Sequence, residues 1–517
     1  MRRGFWVKSY PFIVIAIVSL LVGGAINGFF LYNDVKIKDK PNKKLATPLF
    51  FEKEVKDLPE IQEPEGFDWR QFDGVTINMI TENTPPSIAL AANIWRFEAV
   101  TGIKINMELD NLGTVIDKTG LDMNAAAAKY QIIYADPYQI LPQYDKGFVD
   151  LHKFNDDPKL PHVPGGLGDF IQNQLNVVSY MGNKDKLLTL PYDASTMLLA
   201  YRKDVFEKYK DSFMAEHGYD WTPGPNLSWD QYYEIGKWIN EKAANGTITE
   251  VKYGIGHQAK RGDSLMNDFS NILAANGGDY VEMSNIEQGK SATAAASAMK
   301  SDAVLQSVRF YRKLIKIAAP ESISWDWTQL ADAFANGDLA MAPEWHDFSA
   351  LFEDKTKSNV SGKVGWAILP KGKKGYANSF GGTGLAINKY ASEKEQKAAW
   401  LFLIWATAPQ TQYMLLQSTT GGSTPTRYSV YALPDIQKDL QDGTPDSKKL
   451  PNLLPMKAAF EAWKDENTYV RPKIPQWQQA NMLIFTELSK MLLNKQTPEE
   501  TVRSIARKSN EALGKKE

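Results

Sequence analysis

The chain has 517 residues, of which 43% are hydrophobic and 23% charged, and a formal net charge of −2. That composition is globular rather than disordered, the length suits two or three domains, and the near-neutral charge makes no electrostatic case for nucleic acid. With no cysteine, disulfides, thiolate metal sites, cysteine nucleophiles and a lipidated cysteine anchor are excluded.

Residues 1–10 carry Arg2, Arg3 and Lys8, and residues 11–32 are almost wholly apolar and uncharged. About 20 such residues span a bilayer, so 1–33 reads as a signal or membrane-anchor helix. Gly23, Gly24 and Ala25 offer small residues for cleavage. Phe29, Phe30 and Leu31 continue the apolar run and favour an uncleaved anchor. Arg2-Arg3 also resembles a twin-arginine export start. Residues 34–72, rich in Lys, Glu and Pro, read as a tether, with a docking arm around Leu49, Phe50 and Phe51 as the alternative.

The globular part opens at 73. A strand over 75–80, a loop at Glu82-Asn83-Thr84-Pro85-Pro86 and a helix capped by Ser87 and running to Phe97 come first. A strand over 103–109, a helix over 114–129 and a strand over 130–134 follow. This alternation predicts parallel βαβ units, with Asp136 just past a strand end. Strands are expected at 187–193, 196–201 and 253–256. Helices are expected at 229–241, 263–275 and 301–318. The stretch Ala331 to Trp345 is the most informative. A helix over 327–335 stops at Asn336-Gly337, residues that accept a left-handed conformation, and a buried strand over 338–342 delivers Pro343, Glu344 and Trp345 to its C-terminal end. Strands at 364–370 and 379–388 and helices at 393–408, 478–494 and 498–513 complete the reading.

Three motifs give this pattern a family likeness: the Asn-Gly-Asp, Ala-Met and Trp order of 336–345, the Leu-Pro-Tyr to Tyr-Arg-Lys-Asp-Val-Phe segment of 190–206, and Asn276-Gly277-Gly278-Asp279. Together with Gly421 to Arg427 they resemble the extracellular solute-binding proteins of ABC importers, the maltose-binding-protein group, over about residues 73 to 515. The resemblance implies a two-lobe α/β fold of type II, each lobe a sheet flanked by helices. Lobe one would be 73–190 plus 377–430, and lobe two 191–376 plus 431–517. It further implies an exported monomer at the extracytoplasmic face, tethered by residues 11–32, that binds a carbohydrate or polyol and delivers it to a membrane permease.

In such a fold Glu82, Asn83, Asp136 and Asp193 stand at strand ends, where carboxylates accept hydroxyl protons. Tyr192 stacks or donates, and Trp327, Trp345 and Trp477 offer stacking faces. Asp268 lies in a helix that relatives aim at the ligand. Gly381 and Gly382 let backbone N–H groups approach closely. Arg427 is a candidate for an anionic ligand or a lobe–lobe carboxylate, and Glu344 lies beside Trp345. Each has a bland alternative as a cap, turn or core residue. No cofactor, metal or catalytic group is expected: the five His are dispersed, and no phosphate-binding loop, His-Glu-x-x-His or Gly-x-Ser-x-Gly is present. The alternatives left open are a binder of a non-sugar solute, a ligand-presenting sensor, and a hydrolase using Asp326 and Glu344 as its carboxylate pair.

Overall fold

The structure is a computed structural model that describes residues 50–51, 55–282, 301–418, 421–442 and 450–513, all within one unit spanning 47–517. The proposed anchor, residues 11–32, lies outside the described residues. Among the described residues no helix is long and apolar enough to cross a membrane.

Two sheets organise the chain. The first contains β1 (Thr76–Glu82), β2 (Lys104–Asp110), β3 (Ile132–Ala135), β4 (Leu190–Asp193) and β10 (Thr383–Ile387), and its order is β2-β1-β3-β10-β4. β1 pairs in parallel with β2 and β3, while the late strand β10 runs antiparallel between β3 and β4. The second sheet contains β5 (Met197–Arg202), β6 (Tyr253–Ile255), β7 (Leu339–Trp345) and β8 (Val364–Ala367), in the order β6-β7-β5-β8. Two short parallel strands, β9 (Asn378–Ser379) and β11 (Thr468–Tyr469), pair separately.

The chain therefore passes from the first sheet to the second at 194–196 and returns at 380–382. The two passages lie against each other. Thr196 and Phe380 form an antiparallel bridge, and the Gly381 N–H donates to the Ser195 carbonyl at 3.0 Å.

The helices start where their caps dictate. We label those that shape the site α1 (Pro85–Ala91), α2 (Ile94–Thr101), α3 (Leu112–Ala125), α4 (Trp229–Ala244), α5 (Asp263–Ala275) and α6 (Trp327–Ala335). Ser228 and Asp326 build capping boxes with Gln231 and Gln329, each satisfying two otherwise orphaned N–H groups. Gly337, at φ +84°, takes the left-handed turn after α6.

Three expectations need correcting. The helix expected from Ser87 to Phe97 is two helices, broken at Ala92-Asn93. Ser87 is buried inside the first, with its hydroxyl 2.6 Å from that of Tyr192. The strand expected over 338–342 extends to Trp345, because residues 341–345 pair in full with β5. The strand expected over 379–388 is cut by the return passage into β9 and β10.

Part of the stretch read as a tether packs on the body. Leu58, Trp69 and Phe72 are buried, and the Phe50 ring meets Trp69 edge-on at 4.8 Å. These apolar residues are few and scattered among charges, so no periodicity marks them.

Candidate functional site

The two sheets meet across a cleft whose free space is about 60 Å³. The first sheet brings the C-terminal ends of its parallel strands there: β1 ends in Glu82, β3 runs into Asp136, and β4 ends in Asp193. Ligands bind at this edge of open α/β sheets because crossovers leave a crevice beyond the strand ends. Opposite stand Trp345, Asp347 and Phe348 at the end of β7, Asp263 and Asn267 from the first turns of α5, and Trp327 at the start of α6. Ser195 and Gly381 contribute from the passages, and Arg471 follows β11.

Each carboxyl is held by its own local device. Asp136 accepts the N–H groups of Tyr138 and Gln139 at 3.0 and 2.6 Å, an Asx-type turn that locks it at the strand end. Glu82 accepts the Tyr134 hydroxyl at 3.1 Å. The Ser195 hydroxyl touches both Asp193, at 3.1 Å, and Asp347. The Thr424 hydroxyl donates to the other oxygen of Asp347 at 2.7 Å. Arg471 pairs with Asp263 at 2.7 Å and lies 4.2 Å over the Tyr138 ring.

Five carboxyls thus face one guanidinium, and burial penalises the charge of Glu82, Asp136, Asp193 and Asp347. Burial, and then the nearby Asp136, push Glu82 up to about 8. Burial, and then Asp263, push Asp136 up to about 6, against the pull of Arg471. Burial and the opposing Asp347 hold Asp193 well above its ordinary value, and burial raises Asp347 too. One hydroxyl proton cannot serve two carboxylates, so the Asp193–Ser195–Asp347 bridge needs a proton of its own.

A pH dependence follows. A carboxyl whose pKa is higher in the folded state costs stability as pH rises from its ordinary value, 4.5 for Glu82, to its folded value of about 8, because the folded state then holds more protons than the unfolded one. The ligand-free protein is expected to melt progressively lower from pH 5 to pH 8, and Glu82→Gln to flatten that slope. A series of melting curves in constant ionic strength reads both, and an unchanged slope in the variant would overturn the assignment to Glu82.

The cleft can therefore offer protonated carboxyls that donate and accept, ring faces at Trp327, Trp345 and Phe348, and three buried atoms with no protein partner. Those atoms are Asp193 Oδ1, Asn267 Oδ1 and Arg471 Nε. Among the described residues no group of His, Asp and Glu is arranged to hold a metal ion.

Of the residues singled out in the sequence, Glu82, Asp136, Asp193, Trp327, Trp345 and Gly381 come together in this cleft. The N–H of Gly381 is taken by Ser195, so its service is space: a Cβ there would lie 2.3 Å from the Trp345 ring. The structure places the others elsewhere. Asn83 is exposed and ties its N–H to Asp110 at 2.8 Å. Tyr192 is buried under α1. Gly382 packs against Gln174 and the Asp193 carbonyl. Asp268 is fully buried, accepting the Tyr311 hydroxyl at 2.8 Å and lying 2.9 Å from His257 Nδ1. Trp477 is core, 5.2 Å from the Tyr280 ring. Arg427 is enclosed by carbonyls and a phenyl ring.

The carboxylates of the hydrolase alternative also have other duties. Asp326 caps α6 and pairs with Lys260 at 2.8 Å. Glu344 is fully buried, with burial raising its pKa well above the ordinary value. Sequence reasoning did not find Tyr134, Tyr138, Ser195, Asp263, Asn267, Asp347 or Arg471. Asp347 lies two residues past Trp345, which is the one available signal.

Two α/β lobes joined by adjoining passages, with a polar and aromatic cleft between them, define a fold that holds a small ligand between its halves. The family model of the bacterial extracellular solute-binding proteins matches residues 82–413, and the chain belongs to that family. It is 23% identical over 442 residues to a probable amino-acid ABC transporter periplasmic-binding protein of Sinorhizobium fredii, covering 84% of this chain and 89% of that one. It is 23% identical over 384 residues to the erythritol/L-threitol-binding protein of Mycolicibacterium smegmatis, covering 71% of this chain and 73% of that one. The ABC transporter solute-binding protein of Agrobacterium radiobacter K84, in complex with ribitol, has the same fold, with a TM-score of 0.69 at 22% identity over 85% of this chain and 99% of that one.

Proposed function

We propose that the chain is the solute-binding component of an ABC importer, and that it closes two lobes over a small polyhydroxylated solute, a sugar or polyol, for delivery to a membrane permease. The observation that carries this reading is the cleft itself, where strand-end carboxyls face aromatic rings. Carboxyls suit hydroxyl groups, and rings suit the C–H faces of a carbon skeleton. Glu82, Asp136 and Asp193 hold hydroxyls, and Trp327 and Trp345 cover the skeleton. The lobes are 73–193 plus 383–430 and 197–379 plus 431–517, since β4 belongs to the first sheet, and they turn about the passages at 194–196 and 380–382, with a third crossing near 430. The protein acts at the extracytoplasmic face, and the apolar run 11–32 attaches it to the membrane.

The named relatives bear on the solute in different ways. One is named for an amino acid, one for erythritol and threitol, and one is bound to ribitol. The cleft favours the polyols. Its one guanidinium is already paired with Asp263, which leaves the carboxylate of an amino acid without a free cation to meet it.

A thermal-shift screen of the full-length protein against alditols, monosaccharides, oligosaccharides and amino acids tests the reading. A ligand at about 100 times its Kd adds about 2.7 kcal/mol. An alditol or sugar that raises the melting temperature and is recovered unchanged supports the proposal. A response confined to amino acids, or a ligand recovered cleaved, overturns it.

A further inference from the structure

From the imbalance of charge and of hydrogen-bonding atoms in the cleft, we infer that the solute carries a protonated amine on its polyhydroxylated skeleton: an amino alditol or amino sugar. This inference rests on the solute-binding reading and narrows it. The cleft lining holds Glu82, Asp136, Asp193, Asp263 and Asp347, and against them a single guanidinium, Arg471, whose pairing with Asp263 is 2.7 Å long. The pair is internally neutral, and the lining sets no lysine or second arginine against the remaining four carboxyls; His346 Nε2 lies 3.8 Å from Asp347.

The unpartnered atoms point the same way. Asp193 is 2% exposed and Asn267 3% exposed, and each has one oxygen with no hydrogen-bond partner. The Asn267 oxygen only accepts, and the Asp193 oxygen does so once its carboxyl is ionised. Against these two acceptors stands one unpartnered donor, the Nε of Arg471. An ammonium group is three donors and no acceptor, the complement of that surplus. The Trp327 and Trp345 rings in the same lining offer faces that attract a cation.

Proton bookkeeping separates an amine from a plain polyol. The Asp193–Ser195–Asp347 bridge places two carboxyl oxygens on one hydroxyl, so without a cation it retains a proton. An ammonium group seated there neutralises the carboxylates and expels that proton to solvent. A neutral hydroxyl leaves it in place.

The experiment is isothermal titration calorimetry on the full-length protein at pH 7, with alditols of four to six carbons and their 1-amino-1-deoxy counterparts. Each is measured in two buffers of different ionisation enthalpy. We expect the amino compound of the best chain length to bind at least tenfold more tightly than its alditol. It should release about one proton, by the difference between buffers, while the alditol releases none. In Asp193→Asn the ratio of the two affinities should fall about tenfold. If that variant does not fold, the proton release of the natural protein still decides. An alditol that binds as tightly as its amine, or amine binding with no proton released, overturns the inference and leaves the solute-binding reading standing. If neither series nor any parent sugar binds, both fall.

Discussion

Gly381→Ala is expected to weaken ligand binding about tenfold to a hundredfold while leaving the melting temperature of the ligand-free protein within a few degrees. Gly381 does not lie in the left-handed region, so alanine meets no backbone strain there. The obstacle is the Trp345 ring, whose six-membered portion stands 2.3 Å from where a Cβ would be. Trp345 ends β7 in the second sheet, and Gly381 lies on the return passage toward the first. A methyl group at this point works as a wedge between the halves. Overpacking of this kind costs about 1–3 kcal/mol, and about 1.4 kcal/mol is tenfold in affinity. On the proposed closure the ring and the glycine meet when the halves come together, so the cost is read as lost affinity rather than lost folding. Trp345→Phe lacks the outer ring atoms in question, and in the Gly381→Ala background it should recover part of the affinity. Titration of the four proteins with one ligand completes a double-mutant cycle. Additive losses would show that the ring and the glycine do not meet in the bound state.

Arg427→Ala is expected to destabilise the protein by about 3–5 kcal/mol, the cost of breaking a buried charged group from its partners. Its side chain is fully buried. Its Nε donates to the Thr407 carbonyl at 2.9 Å and its Nη1 to the Pro164 carbonyl at 3.0 Å. The guanidinium lies 3.5 Å over the Phe170 ring, with Asp169 3.6 Å away. It thus ties the 164–170 loop to the end of the helix over 393–406, and no part of it reaches the cleft lining. Burial works against its charge and Asp169 works for it. Arg427→Lys should recover only part of the loss, since an ammonium cannot span two carbonyls and stack on the ring at once. Denaturant melts of the three proteins measure this. A loss of ligand affinity with unchanged stability would instead return Arg427 to the binding role its sequence context suggested.

Local chemistry made the secondary structure legible. The helix over 263–275 and the one over 327–335 run over the residues expected for them, because caps and stops act within a few residues of the chain. The expectation failed where a tertiary partner intervened. β7 extends through Pro343 because β5 lies alongside it, and no local signal reports a neighbour that far along the chain. The site divides on the same principle. Glu82 and Asp193 stand at strand ends and Asp136 one step past one, a position a parallel βαβ reading locates. Arg471 reaches the cleft only because β11 pairs with β9, ninety residues earlier in the chain. Trp345 and Trp477 are chemically alike in sequence. The first ends a strand at the cleft, and the second begins a helix whose inner face packs on Tyr280. Which Trp lies within reach of a ligand is settled by the packing of helices on the sheet.

On the proposed closure, the two passages between the sheets, bridged at Thr196 and Phe380, are the pin about which the halves turn. Exposed positions on opposite halves and far from that pin would then change their separation in step with occupancy. Leu121, 74% exposed at the far end of α3, and Ile323, 42% exposed just ahead of α6, form such a pair. The chain has no cysteine, so thiols introduced at these two positions would be the only ones in the molecule. Coupled to a donor and an acceptor dye, they would turn the protein into an optical reporter of its own solute, readable before that solute has a name.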